Sequence, residues 1–400
     1  MLELWVVEWR LLNLSSVSLK KINSPTLCFF IGLVVWQFGQ MLNLSSFDSI
    51  YAVTGIIEKV LEIFGLTLIV FSQFMVGKLC FFKNKVIVTF IILFYFIFNN
   101  GLLAKDMTIV TICLILFCTN GIDLDKVISN YFWIRIIYFS FIIFLSLVNV
   151  LPNVVTYRAE GSPRYNLGFF WTSFSAYSFF FCILYLIWTN KKISNFYLII
   201  ITFINQLFFE LTNTKTAYFL SLLAIVVLLL QKKHNFKSKF LKKILFFSAL
   251  ILPSLFFFVS YYYAKNAFAY PSLNEIMTNR LYLGYEGLQK FGVKMYGQVY
   301  VETIANRSII DNYFTIDSSL LRYIVHYGWI STIIFSALFT KLILFFVKKN
   351  QLNKSIVLIL VLLSALTDPW LLALDFNVFI LYFSRLFMAP SESAQMVKKI

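Results

Sequence analysis

The sequence predicts an all-α polytopic membrane protein with about twelve transmembrane helices, and three observations carry that prediction. Of the 400 residues, 60% are hydrophobic and only 13% charged, whereas soluble chains run near half apolar and a quarter charged. Phe alone contributes 47 residues, a side chain that suits a lipid-facing surface. The apolar runs are also long and continuous rather than alternating, which excludes the strands of a membrane barrel. Crossing hydrocarbon takes roughly 20 apolar residues, and only helices or closed barrels satisfy their backbone there. Helices are the expectation.

Taken in order, the apolar segments begin near Thr26, Ile50, Val86, Met107, Asn130, Leu167, Ser194, Thr214, Lys243, Ser318, Lys354 and Asp375. Ahead of them, Met1 to Lys21 has an apolar start, an internal Arg10 and no small-residue cleavage site. It is expected to form a short interfacial helix rather than a removable signal peptide. Lys20, Lys21, Lys78, Lys83, Lys85, Lys126, the cluster from Lys232 to Lys243, Lys348 and Lys349 fall on one alternating set of connections. Basic residues mark the cytoplasmic side, so both termini are expected there. Residues 1–400 then form a single integral membrane domain with two notable external loops, a smaller one at 151–166 and a large one at 264–316. The large loop predicts a helix of its own. Pro271 and the capping box Ser272-x-x-Glu275 open it, Leu273, Met277, Leu281, Gly284, Leu288 and Phe291 recur at helical spacing, and Gly292 stops it.

The net charge of +16 follows from these topology signals, and no nucleic acid partner is expected. The five cysteines, Cys28, Cys80, Cys113, Cys118 and Cys182, all lie inside apolar runs without disulfide or metal-site spacing. They are expected to be packing residues. No Gly-rich phosphate loop, nucleophile elbow or zinc motif is present, so neither a metal nor another cofactor is expected.

Basic residues on the outer face stand out, because such loops are ordinarily depleted of them. They are Arg158 and Arg164 in the smaller loop, Lys215 at the start of the eighth helix, and Arg280, Lys290, Lys294 and Arg307 in the large loop. Arginine's planar fork suits phosphate oxygens, and two or three can neutralise a diphosphate; solvated loop charge is the plainer role. Asp317 begins the helix after the large loop. It can act there as an N-cap or accept a proton from a sugar hydroxyl. Lys59 and Glu62 sit three apart within an apolar run and can pair. Arg135, Lys341 and Arg385 can snorkel, and His326, alone in its helix, is expected to be structural.

Several local patterns are similar to a known family. Arg158 and the run Arg164-Tyr165-Asn166-Leu167-Gly168-Phe169 look like the arginine-plus-"LGF" segment that enters a helix in the O-antigen and capsular-polysaccharide polymerases, the Wzy type. Thr212 to Thr216 looks like that family's "TxSRT" turn, with Lys215 where arginine is usual. Asn279-Arg280, Phe291-Gly292 and Gly297-Gln298 resemble its "R…fG…GxG" stretch. Asp317-Ser318, nine residues, Gly328 and Ser331 resemble the pattern "H[NSQ]x9Gxx[GTY]" of the related O-antigen ligases, with Asp317 in place of the histidine. That replacement favours polymerase over ligase.

The resemblance spans Leu151 to the C-terminus and implies a metal-independent glycosyltransferase with a GT-C-like helical bundle. It would act at the outer face of the bacterial cytoplasmic membrane, on oligosaccharide repeat units linked to undecaprenyl diphosphate, as both donor and acceptor. A chain-length regulator is a further partner it implies. Arg158, Arg164, Lys215, Arg280 and Arg307 would bind the diphosphate, and Asp317 would serve as base or orienter for the acceptor hydroxyl. Tyr157, Tyr165, Tyr282, Tyr285 and Tyr296 can stack on sugars or anchor at the lipid interface. Two rivals stand beside this expectation: a lipid-linked oligosaccharide flippase, which should show two similar halves, and the ligase.

Overall fold

The computed structural model describes residues 23–47, 54–77, 86–158, 161–190, 193–234, 238–302 and 314–388. The helices are α1 Ser24–Leu44, α2 Thr54–Val76, α3 Val86–Phe96, α4 Thr108–Phe117, α5 Leu124–Leu147, α6 Thr172–Trp188 and α7 Asn195–Thr212. They continue as α8 Lys215–His234, α9 Lys239–Lys265, α10 Pro271–Ile276, α11 Arg280–Phe291, α12 Ser319–Lys348 and α13 Leu352–Ser364. A π-helical run, Ile97–Leu103, extends α3, and a 3₁₀ helix, Val378–Leu386, ends the described chain. The strands β1 Val155–Tyr157 and β2 Pro163–Tyr165 pair antiparallel as a small hairpin.

Among the described residues, eight helices are long and apolar enough to cross a membrane, and α4, α6 and α13 are shorter apolar helices. The chain is thus an all-α, membrane-embedded protein. Among the described residues, the segment expected to begin at Asp375 holds the 3₁₀ run Val378–Leu386, which at about 2 Å per residue is far shorter than hydrocarbon. The helix expected at Met1–Lys21 lies outside the described residues. Outward faces are as apolar as the interior: Phe74 is 77% exposed and Phe94 72% exposed, as lipid contact requires.

Side-chain caps start many of these helices. Asn23, Asp123, Ser194, Ser238 and Ser318 each accept from a backbone N–H two or three residues on, satisfying a donor that the first turn leaves open. Close backbone approach fixes the first pair. A Cβ on Gly32 would stand 2.8 Å from the Gly65 carbonyl oxygen, and one on Gly39 2.9 Å from that of Glu58, so α1 and α2 pack through small residues. α6 is the central helix, buried along nearly its whole length.

Connections gather at two ends. At one end, Ser46 N–H donates to Gly168 O at 2.8 Å, Phe170 N–H to Leu44 O at 2.9 Å and Ser319 N–H to Asp368 O at 3.1 Å. At the other, Asp123 N–H donates to Thr26 Oγ1 at 3.1 Å and Asn353 Nδ2 to Trp188 O at 2.9 Å. The first end holds the described residues of the 151–166 and 264–316 segments.

In the large loop the expected helix is two helices. Thr278 and Asn279 adopt positive φ, 54° and 64°, and break the chain between α10 and α11. The capping box does not form, because Tyr270 is the N-cap and Ser272 already lies inside α10. From Leu281 onward the expected stripe is present: Leu281 and Gly284 are buried, Leu288 and Phe291 pack half-buried against the small core around Phe314 and Leu321, and Gly292 caps α11.

The most irregular backbone lies in α12. Gly328 has φ 82° and ψ 174° inside the helix, a conformation open only to glycine. The extended segment from Lys294 to Gln298 replaces the lost helical bonds. Trp329 N–H donates to Lys294 O at 3.1 Å, Ile330 N–H to Met295 O at 3.2 Å and Gln298 N–H to His326 O at 2.9 Å. Asn99, in the π-helical run, donates to Tyr327 O at 3.0 Å and accepts from Gly297 N–H at 2.7 Å. Non-helical backbone within a bundle is tolerated where protein or a cavity surrounds it.

Candidate functional site

A cavity of about 920 Å³ opens among these elements at the loop-bearing end. Its walls come from α1, α2, the start of α4, the Arg164–Phe174 segment, Arg280, the first half of α12 and the loop Asp368–Asp375. Successive turns of α12 supply much of its chemistry: Ser319, Arg322, Tyr323, His326 and Tyr327 recur at spacings of three and four and all line it.

At the head of α12, Arg280 Nε donates to Asp317 Oδ2 at 2.8 Å, and its Nη2 lies 3.5 Å from Asp368 Oδ1. Ser318 takes the capping role by accepting from Leu321 N–H, so Asp317 is not the N-cap and its carboxylate serves Arg280. Asp368 is 2% exposed, and burial pushes its carboxyl well above the ordinary carboxylate range. Thr367 Oγ1 donates to it at 2.6 Å.

One turn along, Arg322 Nη2 donates to Glu302 Oε1 at 2.6 Å. The same oxygen accepts from Tyr300 Oη at 2.6 Å, Thr315 Oγ1 at 2.8 Å and Ile316 N–H at 3.1 Å. A further turn along, Tyr327 Oη donates to Asp106 Oδ2 at 2.5 Å and Thr108 N–H to Asp106 Oδ1 at 2.8 Å. Burial pushes the Asp106 carboxyl up, but these hydrogen bonds outweigh it and hold the group below its usual range. His326 Nδ1 faces Asp106 Oδ2 at 3.7 Å.

Of the residues expected to act, Arg164, Arg280 and Asp317 line this one cavity. Arg158 and Lys215 do not. Arg158 Nη2 donates to Asn213 O at 2.5 Å and Arg164 Nε to Thr212 O at 2.9 Å. Thus the hairpin holds two guanidinium groups against the open carbonyls at the C-terminus of α7, where cations are favoured. Asn213 makes the turn into α8 with φ 46° and donates to Ser162 Oγ at 2.8 Å. Lys215 is exposed at the start of α8, and Arg307 lies outside the described residues.

Sequence reasoning places Glu302 and Asp368 among the few acidic residues near the outer face without giving them a role, and it misses Arg322, Asp106 and the contribution of His326. Arg322 and His326 share a helix face with Ser319 and Tyr323, and that spacing is readable. Asp106 and Asp368 each sit in a short connection between apolar runs; only folding brings them to α12. The cavity also has an aromatic lining, including Trp36, Trp171, Trp370 and Tyr300. Carboxylates and arginines that bond hydroxyls, beside rings that cover apolar sugar faces, form a surface suited to carbohydrate. Comparison with protein-family models, curated proteins and solved structures gives no match.

Proposed function

We propose that the protein is a membrane glycosyltransferase that polymerises oligosaccharide repeat units carried on undecaprenyl diphosphate. The growing chain leaves its lipid diphosphate and joins a sugar hydroxyl of a new lipid-linked unit. What supports this is the meeting of Arg164, Arg280 and Asp317, three residues singled out by the family resemblance, on one large polar and aromatic cavity. In this proposal Arg280 and Arg164 stabilise the departing diphosphate, which is already a good leaving group. Asp317 orients Arg280. The long apolar helices cross the bacterial cytoplasmic membrane in a GT-C-like arrangement, with the cavity at the outer leaflet, both termini cytoplasmic, and a chain-length regulator alongside.

The test is reconstitution. Purified protein is mixed with the lipid-diphosphate oligosaccharide fraction of host membranes, without added divalent metal. A ladder of multi-repeat products is expected; intact single repeats would overturn the proposal. One observation favours a second class, the lipid-linked oligosaccharide flippase. α12 is broken at Gly328 inside the bundle, and discontinuous helices build the sites of many transporters. Movement of labelled lipid-linked repeat across vesicles without a ladder would select it.

A further inference from the structure

His326 was expected to be a structural histidine, yet its surroundings do not resemble packing alone. Its Nε2 lies 3.3 Å from the carbonyl oxygen of Ala104. A carbonyl only accepts, so Nε2 carries the hydrogen and Nδ1 is left with its lone pair. That nitrogen stands 3.7 Å from Asp106 Oδ2. Asp106 is held from two sides by Tyr327 Oη and Thr108 N–H. The imidazole is stacked on Tyr327 at 4.5 Å between centroids, with Tyr300 at 5.6 Å. The other charged groups nearby, Arg322 and Glu302, are paired with each other at 2.6 Å. The break at Gly328 fixes this place: it frees the His326 carbonyl, which Gln298 N–H takes at 2.9 Å. His326, Asp106, Tyr300 and Tyr327 all line the cavity.

From this geometry, and resting on the glycosyltransferase proposal above, we propose that His326 is the general base for the acceptor sugar hydroxyl and that Asp106 is its positioning residue. Asp317 is the weaker choice for the base, because Arg280 already occupies its carboxylate at 2.8 Å. In the step, the acceptor hydroxyl oxygen forms a bond to the anomeric carbon of the growing chain. The bond from that carbon to the diphosphate oxygen breaks, and its electron pair leaves with the lipid diphosphate. The hydroxyl proton passes to His326 Nδ1, making an imidazolium beside the Asp106 carboxylate, and is then released to water.

The experiment uses the full chain in detergent with lipid-diphosphate oligosaccharide extracted from host membranes, comparing wild type, His326→Gln, Asp106→Asn and the double variant. Folding is checked by monodispersity and melting midpoint. A positioned general base contributes roughly 100-fold or more, so H326Q should lose that in kcat with KM within about threefold. The wild-type rate should fall as the imidazole protonates, and H326Q should lack that limb of the pH profile. The double variant should be no slower than H326Q, since Asp106 works through the imidazole. A wild-type ladder with H326Q within threefold in kcat overturns this assignment and leaves the polymerase proposal standing. Absence of any wild-type ladder overturns both. If H326Q does not fold, D106N decides: an unchanged kcat and pH profile overturns the assignment, and a reduced kcat with unchanged KM and an altered profile supports it.

Discussion

Gly328→Ala tests whether the break in α12 is built into the protein. A Cβ there would stand 2.5 Å from the Tyr296 carbonyl oxygen and 2.7 Å from that of Met295, distances real Cβ atoms do not occupy. Backbone must therefore move. The φ of 82° and ψ of 174° cost a non-glycine residue about 1–3 kcal/mol. Displacing the inserted segment also loosens the bonds of Trp329, Ile330 and Gln298 across the break, each worth roughly 1 kcal/mol. The sum is a destabilisation of about 4–6 kcal/mol. Gly55→Ala is the control, because a Cβ there meets nothing within 4 Å and alanine is the better helix former. Melting midpoints of the two variants and wild type, followed by intrinsic fluorescence in one detergent, give the comparison. G328A should melt well below wild type and G55A at or slightly above it. A G328A midpoint equal to wild type would refute the strained-break argument.

Three further outcomes are expected. Arg280→Ala should abolish chain growth and cost about 1–3 kcal/mol, because it leaves the Asp317 carboxylate without its charged donor and removes the neighbour of the buried Asp368; the double variant Arg280→Ala/Asp317→Asn should melt higher than R280A alone. Arg158→Ala removes a bond to the Asn213 carbonyl, so it should lower stability by about 1 kcal/mol while chain growth persists, which separates a helix-end role from a diphosphate role. Asp368 supplies a pH signature. Its carboxyl is raised in the folded protein, so the stability it contributes is present below the ordinary carboxylate value and is lost as pH rises through the raised one. As pH is raised above the ordinary carboxylate value, wild-type melting should fall more steeply than that of Asp368→Asn, and parallel curves would count against a raised carboxyl.

Hydropathy made the helical class legible, because a continuous apolar run has one structural outcome in lipid. It did not make the depth of each helix legible. The run Thr172–Trp188 is as apolar as a lipid-facing segment, yet α6 is buried almost throughout, while α2 presents Ile56, Ile63 and Phe74 outward. Protein core and hydrocarbon select the same side chains, so composition cannot separate them. Local rules failed where two signals competed. Ser272 and Glu275 have the spacing of a capping box, but Pro271 already occupies the first turn and the helix begins two residues too early for Ser272 to cap. At the site, Arg164, Arg280 and Asp317 were visible as outer-face charges. Arg322 stands at i+3 from Ser319, a spacing that is readable but assigns no role by itself. Asp106, Glu302 and Asp368 reach α12 from distant segments, and no spacing encodes that.

The charge balance of the cavity alters the expected picture of diphosphate binding. Three arginines line it, but so do Glu62, Asp106, Glu302, Asp317, Asp368 and Asp375, and Arg280 and Arg322 are already paired. An incoming diphosphate must therefore compete with Asp317 for Arg280 rather than meet a free cation. Once displaced, the Asp317 carboxylate remains in the cavity as a like charge. At about 6 Å and an effective dielectric near 40, one such repulsion amounts to roughly 1.4 kcal/mol, or about tenfold in affinity. Asp317→Asn keeps the side chain's size and removes the charge. It should bind a short-chain prenyl diphosphate about tenfold more tightly than wild type, as measured by calorimetry, even as chain growth falls because Arg280 has lost its orienting partner. Equal or weaker binding by D317N would mean that Arg280 does not meet the diphosphate, and that its ion pair serves the architecture of the α11–α12 junction alone.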